Sequence, residues 1–284
     1  MEKLKVFIFA NCHGSIYQKT IETSDVVGLF EINHVVSYEN LNNYDAIECF
    51  FRECDILIIQ PVHNYEKFKV ENIKKILKPE CLMIRIPFIR FDGFWEVGDV
   101  RSLEKFKSAA VMFYPKIDKV LEIPKYLKGE NLHDVIIQNN FDHALEKFRD
   151  LENTGDIKFV DFFLKFYQKI PLFRDSYHLT IPFFNFICYQ IIEIIRFNFP
   201  RVKLKNQDIN MNNIKISKEW GHYKPITNKV ANVLRLEYDL SSYFRYNRYD
   251  YLARIIQYEN GSNSEIIGSL NELNLIFDNP KVLI

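Results

Sequence analysis

Hydrophobic positions in the first 115 residues fall into short unbroken runs separated by amphipathic stretches. Leu4–Ala10 is the first run and stops at Asn11. Ser15 then stands where it can cap a helix reaching to about Leu29. His34–Ser37 reads as a second short strand and Ala46–Glu53 as a short helix. Asp55–Gln60, built on Ile-Leu-Ile-Ile, is a third strand, stopped by Pro61. Glu66–Leu77 gathers Phe68, Ile73, Ile76 and Leu77 on one side of an amphipathic helix. Leu82–Ile86 and Ala109–Tyr114 are further strands, ended by Pro87 and Pro115. Continuous apolar strands alternating with helices predict a parallel sheet covered on both faces. Such sheets bind ligands at the carboxyl ends of their strands. Those ends carry Asn11-Cys12-His13-Gly14, Gln60-Pro61-Val62-His63-Asn64 and Arg85-Ile86-Pro87-Phe88.

From about Lys125 the pattern turns mostly helical. Helices are expected over Asn131–Asn153, over Asp156–Ile170, from a Thr180 cap through Pro182 to about Phe197, and over Thr227–Tyr258. Residues 200–216 read as an irregular segment. With no repeat, low-complexity tract or linker, the chain reads as an α/β core over 1–125 with a mainly helical region over 126–284 packed on it, one continuous structural unit.

Composition narrows the function classes. Lys+Arg 37 against Asp+Glu 37 leaves no net charge, so nothing draws the whole chain toward nucleic acid or an anionic membrane. An anionic ligand needs a local cluster instead. Five cysteines without a CxxC pair suggest neither zinc nor a disulfide framework, and free thiols suit a reducing cytoplasm. The N-terminal apolar run is too short for a signal peptide. Ile181–Ile195 is interrupted by Asn185, Gln190 and Glu193 and falls short of the roughly 20 residues of a membrane span. No Gly-x-Gly-x-x-Gly or Walker loop is present, which argues against dinucleotide or P-loop chemistry.

Three segments carry candidate chemistry. Cys12 follows a strand and precedes a helix, and a thiol so placed meets the positive end of the helix dipole, which favours its thiolate. The backbone N–H groups of that turn, and Gly14 for its tight geometry, are candidates to hold a developing oxyanion. The competing reading is a free cysteine packed under a sheet. Arg174-Asp175-Ser176-Tyr177-His178 offers an acid three residues before a histidine, either an orienter with its base or a solvated turn. Gln60 to Asn64 offers amide donors beside the same strand ends, or a simple turn, with His63 as an alternative base. His13 with His63 makes a poor metal pair, because no ligand spacing supports it.

In this order the segments resemble the SGNH hydrolase and acyltransferase superfamily, with Asn-Cys-His standing where Gly-Asp-Ser is usual. More narrowly, the chain is similar to the WcbI family of polysaccharide-biosynthesis acetyltransferases. The residues carrying this are Asn11-Cys12-His13-Gly14, Gln60-Pro61, Ile86-Pro87-Phe88 with Asp92-Gly93-Phe94, and Arg174 to Thr180, over roughly residues 4–182. The resemblance implies an SGNH-like three-layer α/β sandwich with a mostly parallel central sheet and additional C-terminal helices. It implies coenzyme A binding and O-acetylation of a bacterial capsular or surface polysaccharide or its precursor. Cys12 would be the nucleophile, His178 the base and Asp175 its orienter, with Asn11, His13, Gly14, Gln60 and Asn64 around the oxyanion or substrate. Arg85, Arg90, Lys116 and Arg174 are the candidates for the phosphates of acetyl-CoA, and Phe88, Phe91 or Trp95 for covering adenine or pantetheine. Other readings are a cysteine esterase or thioesterase and a non-catalytic glycan-binding assembly protein. The expected setting is a bacterial cytoplasm, peripheral to an inner-membrane polysaccharide assembly complex, with no metal, no nucleic acid and no transmembrane segment. Trp220-Gly221-His222-Tyr223 reads as a turn packed on the core. Arg235, Arg245, Arg248 and Arg254, interleaved with tyrosines, read as a partner-facing or partly buried helix, including a homo-oligomer face.

Overall fold

A computed structural model describes residues 3–23, 27–95, 133–199, 226 and 228–238. The strand expected at Ala109–Tyr114, Lys116, residues 200–216, the Trp220 turn and the tyrosine-rich stretch from 239 onward lie outside the described residues.

Among the described residues, four strands form an all-parallel sheet: β1 (Leu4–Ala10), β2 (Phe30–Val36), β3 (Ile56–Ile59) and β4 (Leu82–Arg85), in the order β2-β1-β3-β4. The central strands are apolar on both faces, as burial on both sides requires: Val6–Ala10 and Ile56–Ile59 are all buried. The edge strand β2 carries Glu31, Asn33 and His34 and buries only Phe30. It begins four residues earlier than its apolar pattern suggests. The fold is therefore the α/β class that the alternating runs predict, with the parallel sheet in place.

Among the described residues the helices are α1 (Gly14–Thr23), α2 (Tyr44–Glu53), α3 (Val70–Lys74), α4 (Asp134–Glu152), α5 (Val160–Phe166), α6 (Ile181–Asn198) and α7 (Asn228–Leu234). Several differ from expectation for local reasons. The Glu66–Leu77 stretch breaks at Lys69, whose φ of −62° and ψ of 140° are extended, into a 3₁₀ turn at Glu66–Phe68 and the short α3. An unbroken helix would set Phe68 and Ile73 about 140° apart; the break lets both be buried in one core. The first helix ends at Thr23, and Val27–Leu29 form a separate 3₁₀ turn leading into β2. The Asp156–Ile170 stretch is helical only over α5, because Glu152 Oε2 accepts the N–H groups of Phe159 and Val160 at 2.5 and 2.7 Å and sets the helix start there. Thr180 stands at the N-cap of α6 with Pro182 in the first turn, but its side chain makes no capping bond. Helix α7 stops at Leu234: Arg235 is left-handed at φ 56°, and the Leu236 N–H returns to the Ala231 carbonyl at 2.9 Å.

The described residues gather into two compact units. The first takes 3–23, 27–89, 149–163 and 179–199 and contains the sheet. One side of it is a core of Phe7, Phe9, Ile47, Phe51, Leu57, Ile59, Phe68 and Ile73 under α2 and α3. Helix α6 packs on α1 and β4. The second takes 90–95, 133–148, 164–178, 226 and 228–238. Its centre is aromatic: the Phe91 ring meets Phe94, Phe141, Phe148 and Phe173 at 5.1 to 5.7 Å.

Within the first unit, Asp156 locks the carboxyl end of β4. Its carboxylate accepts the Arg85 N–H at 2.8 Å and the Arg85 guanidinium at 2.6 Å, and its own N–H donates to the Arg85 carbonyl at 2.8 Å. Gly155 permits this approach, since a Cβ there would collide with Pro87. Burial alone would push the Asp156 carboxyl up, yet its bonds with Arg85 hold it below the usual range. Asp156→Ala should cost about 1–2 kcal/mol, the low end for a charge-assisted bond because both side chains are partly exposed. Urea unfolding would show this as a lower midpoint at unchanged slope.

Candidate functional site

The carboxyl ends of β1 and β3 lie side by side where the strand order reverses, the place where open α/β sheets hold ligands. Two bonds tie them there. The Gln60 N–H donates to the Phe9 carbonyl and the Gln60 side-chain oxygen accepts the Asn11 N–H, each at 2.9 Å. The turn then closes on itself. Asn11 Oδ1 accepts the His13 N–H at 3.0 Å, the Asn11 carbonyl accepts the Gly14 N–H at 2.9 Å, and Ser15 Oγ donates to the Cys12 carbonyl at 2.9 Å. Ser15 thus sits inside the first turn of α1 rather than capping it. Cys12 is left partly exposed on a rigid turn two residues ahead of the helix. Burial pushes the Tyr17 and Tyr38 hydroxyls up.

His34 completes this turn, and the sequence reading missed it. Its imidazole lies against Gly14, where any Cβ would collide with it. Burial lowers the imidazole's affinity for a second proton, with the Asn11 backbone offsetting this in part. A histidine directly before the apolar pair Val35–Val36 was a usable signal. Starting that strand at His34 placed it at the wrong end; with β2 beginning at Phe30, His34 lies near the carboxyl end, opposite Ile8.

In the second unit, residues 174–178 fold into a tight loop. Asp175 Oδ1 accepts the N–H groups of Tyr177 and His178 at 2.8 and 2.9 Å, while Oδ2 lies 2.6 Å from His178 Nδ1. The Arg174 N–H donates to the His178 carbonyl at 2.8 Å, and the Phe91 N–H to the Ser176 carbonyl at 3.0 Å. Burial works against the Asp175 charge, but His178 and the two backbone N–H groups outweigh it and hold the carboxyl below its usual range. An ionised Asp175 on Nδ1 selects the tautomer whose Nε2 lone pair accepts a proton. The Arg90 guanidinium lies 4.7 Å over the Tyr177 ring and pairs with Asp92 at 2.7 Å.

The remaining candidates separate clearly. His13 is buried, edge-on to Phe184 at 5.0 Å. The N–H groups of His13 and Gly14, expected to face an oxyanion, are both engaged inside the turn. Gln60 is buried and holds Asn11, whereas His63 and Asn64 are exposed. Arg85 is committed to Asp156. Arg174 is buried, Arg90 is exposed, and Lys116 lies outside the described residues. Phe91 and Trp95 are buried in the second unit, while Phe88 is exposed. Among the described residues no three metal-ligating side chains come together, and no helix is long and apolar enough to cross a membrane.

Comparison with known proteins places this geometry. A solved structure of WcbI, described as a novel polysaccharide biosynthesis enzyme in its native form without a disulfide bond between coenzyme A and one of its cysteines, superposes with a TM-score of 0.61. The match covers 99% of this chain and 97% of that one at 14% identity, so it shows a shared fold. No curated protein matches. The profile of the polysaccharide biosynthesis enzyme WcbI matches residues 5–193. The chain carrying the Cys12 turn and the Asp175–His178 loop belongs to the WcbI family of polysaccharide biosynthesis enzymes.

Proposed function

We propose that this enzyme is a coenzyme A-dependent O-acetyltransferase acting on a sugar hydroxyl of a bacterial capsular or surface polysaccharide, or of its precursor. The observation that carries the reading is the Asp175 carboxylate, which takes two backbone N–H groups on one oxygen and the His178 ring on the other. That arrangement fixes a histidine's tautomer and ring plane, as a general base requires. Support for the acetyl donor comes from the WcbI structure, described in terms of coenzyme A and a cysteine of that protein.

In this mechanism His178 accepts the Cys12 proton and Asp175 stabilises the imidazolium. The Cys12 thiolate attacks the acetyl carbonyl and the coenzyme A thiolate leaves. Exchange of one thioester for another is nearly neutral in energy, which suits a cysteine nucleophile. A sugar hydroxyl, giving its proton to His178, then attacks the acetyl-cysteine. With the His13 and Gly14 N–H groups engaged, Gln60 and Asn11 are the candidates to assist in holding the oxyanion. Arg90 and Arg174 are the described candidates for the donor's phosphates. A cytoplasmic setting suits a catalytic thiol.

Incubation with acetyl-CoA followed by intact-mass measurement should show one acetyl increment on the wild type and none on Cys12→Ala, which should also lose transfer to sugar. Transfer surviving undiminished in Cys12→Ala would overturn the nucleophile. Rapid acetyl-CoA hydrolysis that no sugar acceptor redirects would favour a thioesterase.

Asp175→Asn should lower kcat by on the order of 10²–10⁴-fold with a smaller effect on the KM for acetyl-CoA. It should also change acid stability. The folded-state pKa of Asp175 lies below its unfolded value, so its contribution is present above about pH 4 and disappears as pH falls through the folded value. Asp175→Asn should remove that part of the acid-unfolding profile, which a pH series of thermal melts reads directly.

A further inference from the structure

Cys54 and Cys81 take no part in the chemistry above. Cys54 ends α2, its N–H donating to the Phe50 carbonyl at 3.1 Å, and leads into β3. Cys81 immediately precedes β4. Since Ile56 lies opposite Leu82 in the parallel ladder, the two cysteines reach neighbouring strand entrances as diagonal neighbours. They lie at the end of the sheet opposite the Cys12 turn. Diagonal positions on adjacent strands are about 6 Å apart, inside the roughly 4.4–6.8 Å Cα window of a disulfide.

The sulfurs are already 3.7 Å apart. Cys54 is buried beside Phe51 and Leu57, while Cys81 is only partly covered. The contact makes the two thiols unequal. Hydrogen bonding to Cys81, together with burial, pushes the Cys54 thiol up, and the same bond holds Cys81 below its usual value. Asp55 and Lys78, themselves paired at 2.7 Å, act on both thiols; Asp55 opposes the Cys81 thiolate and Lys78 favours it. The remaining cysteines are placed differently. Cys49 is exposed on α2, and Cys188 is buried on Thr20 with its thiol pushed up to about 12.

We propose that Cys54 and Cys81 are a reversible redox pair that a hydroperoxide converts to an intramolecular disulfide, Cys81 attacking and Cys54 resolving. The Cys81 thiolate bonds one peroxide oxygen, the O–O bond breaks, and hydroxide leaves and is protonated to water. Cys81 is then a sulfenic acid. The Cys54 sulfur attacks it, the S–S bond forms, and the sulfenic oxygen leaves with the Cys54 proton as a second water. Two thiols are oxidised and one peroxide is reduced. The product staples the amino-terminal ends of β3 and β4 and leaves the Cys12 thiol in place.

The test treats the full chain with hydrogen peroxide, blocks free thiols with maleimide after denaturation, and maps peptides without reductant. The expected result is a loss of two reactive thiols from the five and a Cys54–Cys81 crosslinked peptide that dithiothreitol releases. Cys12→Ala should give the same crosslink, which separates this pair from the proposed nucleophile. In Cys54→Ser, Cys81 should stop at a sulfenic acid that dimedone traps. The proposal is overturned if all five thiols stay reactive, if Cys81 passes to sulfinic acid while Cys54 stays reduced, or if either cysteine pairs with a different one. Mapping of the wild type decides the matter if Cys54→Ser does not fold.

Discussion

The bond from the Asn11 N–H to the Gln60 side-chain oxygen is the contact on which the Cys12 turn depends. Where the chain leaves a buried sheet, the next N–H would otherwise be stranded away from water, at a cost of about 1–3 kcal/mol. Gln60 satisfies it and extends the β1–β3 ladder by one side-chain rung. Everything after Asn11 inherits that position: its own side chain holds His13, its carbonyl holds Gly14, and Cys12 is left at the tip. The placement of the thiol is thus set by strand register, and a slip of one residue would move it to the other face of the sheet.

The Asp175 loop reaches rigidity by a different route. It is neither strand nor helix, and apart from the Arg174 N–H to His178 carbonyl bond no ladder takes up its backbone donors. One carboxylate supplies what regular structure would have supplied, binding two N–H groups and the ring that follows. The same charge that organises the loop also polarises the histidine. Folding and chemistry draw here on a single ionised group, which is why its carboxyl is held low despite burial.

How much could be read in advance follows from which interactions are local. The central strands were legible because both of their faces are buried, leaving unbroken apolar runs at Val6–Ala10 and Ile56–Ile59. The edge strand β2 was misplaced because solvent touches most of it and only Phe30 is buried. Asp175 and His178 could be paired from their spacing, but not the two backbone bonds that make the pair rigid. Arg85 looked like a cation for an anionic ligand because its partner, Asp156, lies 71 residues away and no local pattern announces such a pairing. The stop at Leu234 was equally hidden, since an arginine rather than a glycine takes the left-handed position. Cys12 was legible as a thiol between strand and helix; His34, which lies against Gly14, depended on a strand boundary that the apolar pattern concealed.

The long reach of α6 has a consequence for the chain as it is made. Thr20 on α1 meets Cys188 on α6, a separation of 168 residues. The parallel strands and α1 therefore leave the ribosome long before the helix that covers them. At 5–20 residues per second that interval is on the order of ten seconds or more. Throughout it, the apolar faces of α1 and β4 that α6 will cover stay open to water and to other nascent chains. Synthesis itself sets a window in which these apolar faces are uncovered, and the window closes only when α6 can dock.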